Sequence, residues 1–221
     1  MNIFYAIILG IIQGVTEFLP VSSSGHLAIA QILFGMEETD LLFDILLHVG
    51  TLVAIFIVYY KDIWKLIVEG LSLLGCCFCN IGVFFKNLVN KEEKEEYKSV
   101  LSNGYRKFAL MIIVSCIPTG IIGVLDRHLV ADLSKILIVP GICLIITGGI
   151  LLAAQFVKGG EKQPREATFI DALIIGTAQG VATMPGISRS GSTLAASLIC
   201  GFDRKFAVKY SFILSIPAIL G

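Results

Sequence analysis

Two stretches decide how this chain folds: QGVTEFLPVSSSGH at residues 13–26 and QGVATMPGISRSGST at residues 179–193. Each lies at the end of an apolar helical run, Asn2–Phe18 and Thr168–Met184, that is broken by proline at Leu19-Pro20 and at Pro185-Gly186. Each chain segment then restarts in serines and continues apolar, to about residue 34 and residue 201. Proline removes a backbone donor and clashes with the preceding turn, so neither run continues as one helix. Broken backbone within a membrane is tolerated only inside protein or beside a cavity. The pattern therefore predicts two re-entrant helical hairpins, at 2–34 and 168–201.

The two hairpins are copies of each other. Residues 6–26 align with 172–192 without a gap, and nine of the 21 positions are identical: Ala6, Ile8, Gly10, Gln13, Gly14, Val15, Ser22, Ser24 and Gly25. Polar residues and glycine dominate the matches, so shared hydrophobicity does not account for them.

The composition agrees with a membrane setting. Of 221 residues, 56% are hydrophobic and 15% charged, against about 25% charged in ordinary soluble domains. The mean hydropathy is +0.86. Zero net charge says little about partners, and the distribution of the charges says more; no nucleic-acid partner is expected. Met1–Leu9 has neither a basic start nor a small-residue cleavage site, so the start is expected to belong to the mature protein. The six cysteines lie mostly in apolar runs and are expected to pack rather than pair.

Residues 41–60, 108–125 and 136–157 read as spanning helices, each near the ~20 residues a bilayer core requires. A further span begins at 206, and its apolar pattern is still unbroken where the sequence ends. Between 61 and 107 the reading is an interfacial helix over 63–85, with Lys65, Glu69, Ser72, Cys76 and Asn80 on one face. A solvated cytoplasmic loop with the charged run 91–96 follows it. The expected fold is an all-α integral membrane protein, one membrane domain over 1–221. Its first repeat covers 1–157, and a second, incomplete repeat covers 168–221.

Basic residues set the orientation. Fourteen of the 17 fall at 61–107, 158–168 and 203–209, while the 126–135 loop holds only Arg127 and Lys135. The positive-inside bias puts the first set in the cytoplasm. Three spans between the hairpins then make the second an inverted copy of the first, entering from the cytoplasmic face while the first enters from outside.

Inverted repeats with broken helices meeting near the midplane build polar sites in lipid. A helix start offers free N–H groups and partial positive charge, which suit an anion. Two such starts could hold a diphosphate between them. Glu17, four residues after Gln13 on the same helical face, is a costly carboxylate at membrane depth and thus a functional candidate. It could serve as a base or hold a divalent cation. Ser22, Ser23 and Ser24 are candidate nucleophiles or simple helix caps, and His26 follows within a turn. Arg189, the one arginine of its hairpin, could grip phosphate bidentately or act as counter-ion to Glu17. Asp44 and His48 on the next helix read as packing or supporting residues.

Together these residues resemble the undecaprenyl-diphosphate phosphatase family, BacA/UppP. Its (E/Q)-x-x-x-E motif is matched by Gln13 and Glu17, and the Ser-rich segment ending in Gly-His by Ser22 to His26. Its P-G-x-S-R-S-x-x-T motif is matched by Pro185, Gly186, Ser188, Arg189, Ser190 and Thr193. The resemblance implies hydrolysis of undecaprenyl diphosphate to the monophosphate and phosphate with a divalent cation, magnesium or calcium. It also implies recycling of the cell-wall lipid carrier and bacitracin resistance. It places Glu17, Ser23, His26 and Arg189 in a catalytic site facing the outer or periplasmic side of the bacterial inner membrane, with Ser23 as nucleophile. Around them Gln13, Ser22, Ser24, Gly25, Gly186, Ser188, Ser190 and Thr193 are expected to bind substrate, and Glu17 to be the metal ligand. Assembly as a homodimer is left open. Family members usually continue for further spans, in keeping with the interrupted final run.

Two rivals remain to be weighed. Inverted repeats are also typical of transporters, so a polyprenyl-phosphate flippase is the alternative. A second membrane phosphatase family uses S-R-x5-H, but Ala195 stands where its histidine is required, which removes it.

Overall fold

The computed structural model describes residues 2–36, 41–89, 94–133, 136 and 138–220. Of the positions singled out above, 37–40 of the first loop, Lys91, Glu92, Glu93 and Lys135 lie outside the described residues. Eight helices follow in order: α1 (Ile3–Phe18), α2 (Ser23–Leu33), α3 (Leu41–Val89), α4 (Gly104–Leu133), α5 (Ile138–Phe156), α6 (Phe169–Val181), α7 (Arg189–Ile199) and α8 (Arg204–Leu220). No β-sheet forms among the described residues; one isolated bridge pairs Lys162 with Phe202. The chain is an all-α membrane protein, and among the described residues three helices are long and apolar enough to cross a bilayer: Leu42–Val89, Gly104–Val130 and Ile138–Phe156.

Burial is inverted relative to a water-soluble protein. Isoleucine and valine point outward along α1 at Ile3, Ile7, Ile11 and Val15, and isoleucine along α5 at Ile138, Ile142 and Ile145. Gln13, Thr51, Ser115, Thr147, Gln179, Thr193 and Ser197 are buried instead. Lipid does not penalise the exposed apolar stripes, whereas every buried polar group needs an internal partner.

Both expected helix breaks are present. Leu19, held extended (φ −75°, ψ 134°) by the proline that follows it, closes α1. Thr168 opens α6 with a capping box, its Oγ1 accepting from Asp171 N while Asp171 Oδ2 accepts from Thr168 N at 2.7 Å. After Pro185, Gly186 has φ +93°, and a Cβ there would lie 2.4 Å from Pro140 O, so both conformation and space demand glycine.

α3 consists of two helices joined across a kink at Tyr59 (φ −105°, ψ 17°), the non-helical residue inside the run. The kink falls at the expected division between a span at 41–60 and a helix over 63–85, and no proline or glycine between Thr51 and Glu69 opens it into a loop. Its 49 residues span about 73 Å at 1.5 Å per residue, more than twice the ~30 Å hydrocarbon thickness. The whole length therefore cannot lie across one bilayer. Past the kink, Trp64, Leu71, Phe78 and Phe85 are exposed at seven-residue intervals. The opposite face is tied down: Glu69 accepts from Arg106 Nε (2.9 Å) and Asn103 Nδ2 (2.8 Å). The Asn80 and Asn87 amides each clasp both backbone groups of one residue, Lys98 and Glu95.

The frame that positions the site is the α4–α6 pair. Gly176 lets α6 approach so closely that a Cβ would sit 2.2 Å from Ser115 O, and one at Gly180 would meet the Ile122 side chain at 2.8 Å. Small residues four apart permit such contact between membrane helices. Hydroxyls reinforce it: Ser115 Oγ donates to Ala172 O (2.6 Å), Thr119 Oγ1 lies 2.8 Å from Gly176 O, and Thr183 Oγ1 lies 2.9 Å from Asp126 Oδ2. Behind them Phe108, Phe202, Phe206 and Tyr210 stack into a buried core that holds α8.

Gly176→Ala is expected to destabilise the protein by about 1–3 kcal/mol through overpacking against backbone that cannot yield. Gly75→Ala, where a Cβ meets nothing within 4 Å, serves as the control. Thermal unfolding in detergent measures both.

Candidate active site

The breaks place three groups from distant parts of the chain in one spot. Glu17 lies in the last turn of α1, Ser23 opens α2 and Arg189 opens α7. Arg189 Nη2 donates to Glu17 Oε1 at 2.5 Å. The other carboxylate oxygen accepts from Ser23 Oγ and, at 3.2 Å, from Gln13 Nε2. The side chains of Glu17 and Arg189 are 13% and 22% exposed. This is a largely desolvated ion pair that keeps an opening.

Around it the two hairpin tips interlock. Gly186 N donates to Ser24 Oγ (3.3 Å) and Ser190 Oγ to Glu17 O (3.4 Å). A Cβ at Gly191 would lie 2.8 Å from Pro20 O, so the second tip seats on the first only with glycine there. Ser188 caps α7 with its Oγ accepting from Gly191 N (3.1 Å). Its counterpart Ser22 makes no such cap and adopts φ +69°, a conformation rare for a residue with a Cβ. The strained turn sits beside Ser23.

Neighbouring helices satisfy the backbone that the second break frees. Thr147 Oγ1 of α5 donates to Gly186 O and accepts from Ser188 N, both at 3.0 Å. Thr193 Oγ1 lies 2.9 Å from Arg189 O and 2.5 Å from Ser211 Oγ of α8. These bonds fix the first turn of α7, and with it the direction of Arg189.

A cavity of about 690 Å³ opens over this cluster. Glu17, Ser22, Ser23, Ser24, Ser188, Arg189 and Ser190 all line it. The remaining expected binding residues stand behind the wall. Gln13 steadies Glu17, Gly25 packs on Leu144, Gly186 packs on Pro140 and Cys143, and Thr193 braces Arg189. His26 is half-buried off the wall, its Nδ1 2.8 Å from Ser22 O. A nitrogen facing a carbonyl at that distance carries the proton, leaving Nε2 as the acceptor.

Other wall residues were not singled out from the sequence. Thr119, Gly120, Gly123 and Arg127 come from α4, Gln179 from α6 and Thr183 from the turn that follows it. Gln179 was discoverable as the repeat partner of Gln13. His48, read above as packing or support, reaches the wall with Nδ1 2.9 Å from Asp44 O.

Glu17 Oε1 accepts from Arg189, and Oε2 accepts from Ser23 and Gln13; a carboxylate has about four acceptor positions, so Oε1 keeps one for a divalent ion. Among the described residues, no three His, Cys, Asp or Glu side chains cluster as a metal site, and Glu17 is the carboxylate on the cavity wall that would hold such an ion.

Comparison with known proteins supplies the family. The profile of bacitracin resistance protein BacA matches residues 6–221. Undecaprenyl-diphosphatase of Alkaliphilus metalliredigens (strain QYMF) is 45% identical over 222 residues, covering 100% of this chain and 75% of the relative. The proteins of the same name from Methanosphaera stadtmanae and Carboxydothermus hydrogenoformans are 42% and 40% identical over 221 residues. They too cover 100% of this chain, and 75% and 72% of themselves. The match runs through both hairpins and every helix between them, and the chain belongs to the bacitracin resistance protein BacA family.

Proposed function

We infer that this chain hydrolyses undecaprenyl diphosphate to undecaprenyl phosphate and inorganic phosphate, recycling the lipid carrier of cell-wall synthesis and so conferring bacitracin resistance. The observation that carries the reading is the contact of Glu17 with both Ser23 and Arg189 on the wall of one cavity, in a chain whose relatives bear that enzyme's name. The transporter alternative explains inverted repeats but has no need for a serine hydroxyl held on a carboxylate.

The chemistry follows from the contacts. Glu17 Oε2 accepts the Ser23 hydroxyl and is placed to take its proton as Oγ attacks the terminal phosphorus. The bond from that phosphorus to the bridging oxygen breaks, and undecaprenyl phosphate leaves. A water then attacks the phosphoserine, Glu17 returns the proton it took from Ser23 to the departing Oγ, and phosphate leaves carrying both protons of the water. Arg189 has five N–H donors, so its bond to Glu17 leaves others for the phosphate oxygens whose charge grows in the transition state. The starts of α2 and α7 add backbone N–H groups aimed at the same anion. Glu17 would hold the divalent cation implied by the family resemblance, which would screen the charge of the phosphate groups. The cavity is proposed to open to the outer face of the inner membrane, in line with the distribution of basic residues.

Three substitutions test this with purified protein and a polyprenyl diphosphate, each checked for an unchanged thermal midpoint. Glu17→Gln and Ser23→Ala are each expected to lower kcat at least about 100-fold, as removal of a base or nucleophile does. Near-normal turnover by Ser23→Ala would move the attack to water or another serine. Arg189→Lys keeps the charge but loses the planar fork, and kcat/KM is expected to fall at least about tenfold.

A further inference from the structure

The catalytic cavity is short of positive charge. Its substrate is a diphosphate monoester, carrying several negative charges at neutral pH. Arg189 is the cation at its centre, but that charge is offset by Glu17 at 2.5 Å. The other permanent cation on the wall is Arg127 of α4.

Arg127 continues a stripe of α4 that faces the cavity, through Thr119, Gly120, Gly123 and Val124. Gly120 and Gly123 have nothing within 4 Å of where a Cβ would be, so the stripe is an open trough. Eight residues separate Thr119 from Arg127, about 12 Å along the helix. Arg127 is exposed and marks the mouth of the trough. Its Nε donates to His128 Nε2 at 3.3 Å, and no described carboxylate pairs with its terminal nitrogens. The adjacent Asp126 is turned to Thr183 Oγ1 at 2.9 Å. Arg127 also stands apart from the concentration of basic residues at 61–107, 158–168 and 203–209, so it is not part of the charge bias that orients the chain.

We propose that Arg127 is a substrate-binding residue of the mouth, whose free guanidinium nitrogens receive the diphosphate group on its way to Glu17, Ser23 and Arg189. The proposal rests on the diphosphatase reading for its substrate. Its chemistry, a guanidinium paired with no described carboxylate and gripping phosphate oxygens, does not depend on turnover. A competing role, an arginine that only anchors the helix end at the membrane surface, predicts no effect on anion binding.

Titration of inorganic diphosphate into the detergent-solubilised full chain separates the two. Arg127→Gln is expected to weaken binding roughly tenfold, in the range of one charge-assisted hydrogen bond. Arg127→Lys should fall between wild type and Arg127→Gln, because it keeps the charge but loses the planar fork. Lys205→Gln, in a different cavity, should leave binding unchanged. In the phosphate-release assay Arg127→Gln should raise KM by a similar factor, with kcat within about threefold. Unaltered diphosphate affinity in Arg127→Gln, or no diphosphate binding by the wild type, overturns the proposal. Arg127-dependent binding by a wild type that releases no phosphate would instead overturn the diphosphatase reading and leave the mouth site standing.

Discussion

Glu17 and Arg189 are 172 residues apart, and neither could stand alone where it lies. An unpaired carboxylate or guanidinium within an apolar bundle is costly to bury, and removing one partner from such a pair strands the other. Their contact therefore fixes how the two hairpin tips must meet, and the packing of the remaining helices serves that meeting. The pair also leaves charge to spare: a guanidinium with unused donors faces a cavity beside a serine whose proton already points at the carboxylate. One arrangement thus holds the tips together and prepares the chemistry.

Holding two broken helices tip to tip requires partners for the backbone that the breaks release. Thr147 from α5 and Thr193 with Ser211 from α7 and α8 supply them. The α4–α6 contact, made close by Gly176 and Gly180, sets the height of the second hairpin. Small side chains and hydroxyls do this work because lipid offers neither hydrophobic drive between helices nor water to satisfy stray polar groups.

The two copies have divided the labour. Gly176 and Gly180 sit hard against α4, whereas their counterparts Gly10 and Gly14 have no contact closer than 3.9 Å. Ser188 caps its helix in an ordinary conformation, while Ser22 is uncapped and strained. The tightly packed second copy presents the arginine; the looser first copy carries the carboxylate and hydroxyl. Exchange of Ser23 for Arg189 and of Glu17 for Thr183 between equivalent positions turns a duplicated motif into one composite site.

Much of this was readable along the chain, because the signals are local. Pro20 and Pro185-Gly186 break helices wherever they are placed, so both hairpins and their tips were legible, as were Glu17, Ser23 and Arg189 beside the breaks. The boundary before Lys61-Asp62 was legible as well, and the helix kinks there at Tyr59. That Asp62 is answered by Lys209 and the Tyr105 hydroxyl, each at 2.8 Å, was not. The cavity wall was equally hidden, since Arg127, Thr119 and Gln179 reach it only through the rotation of α4 against α6. Residue type and spacing dictated where the backbone must break and which chemical groups stand at the breaks. Which of those groups touch, and which distant side chains complete the pocket, followed from helix packing between segments far apart in sequence, where no local periodicity carries information.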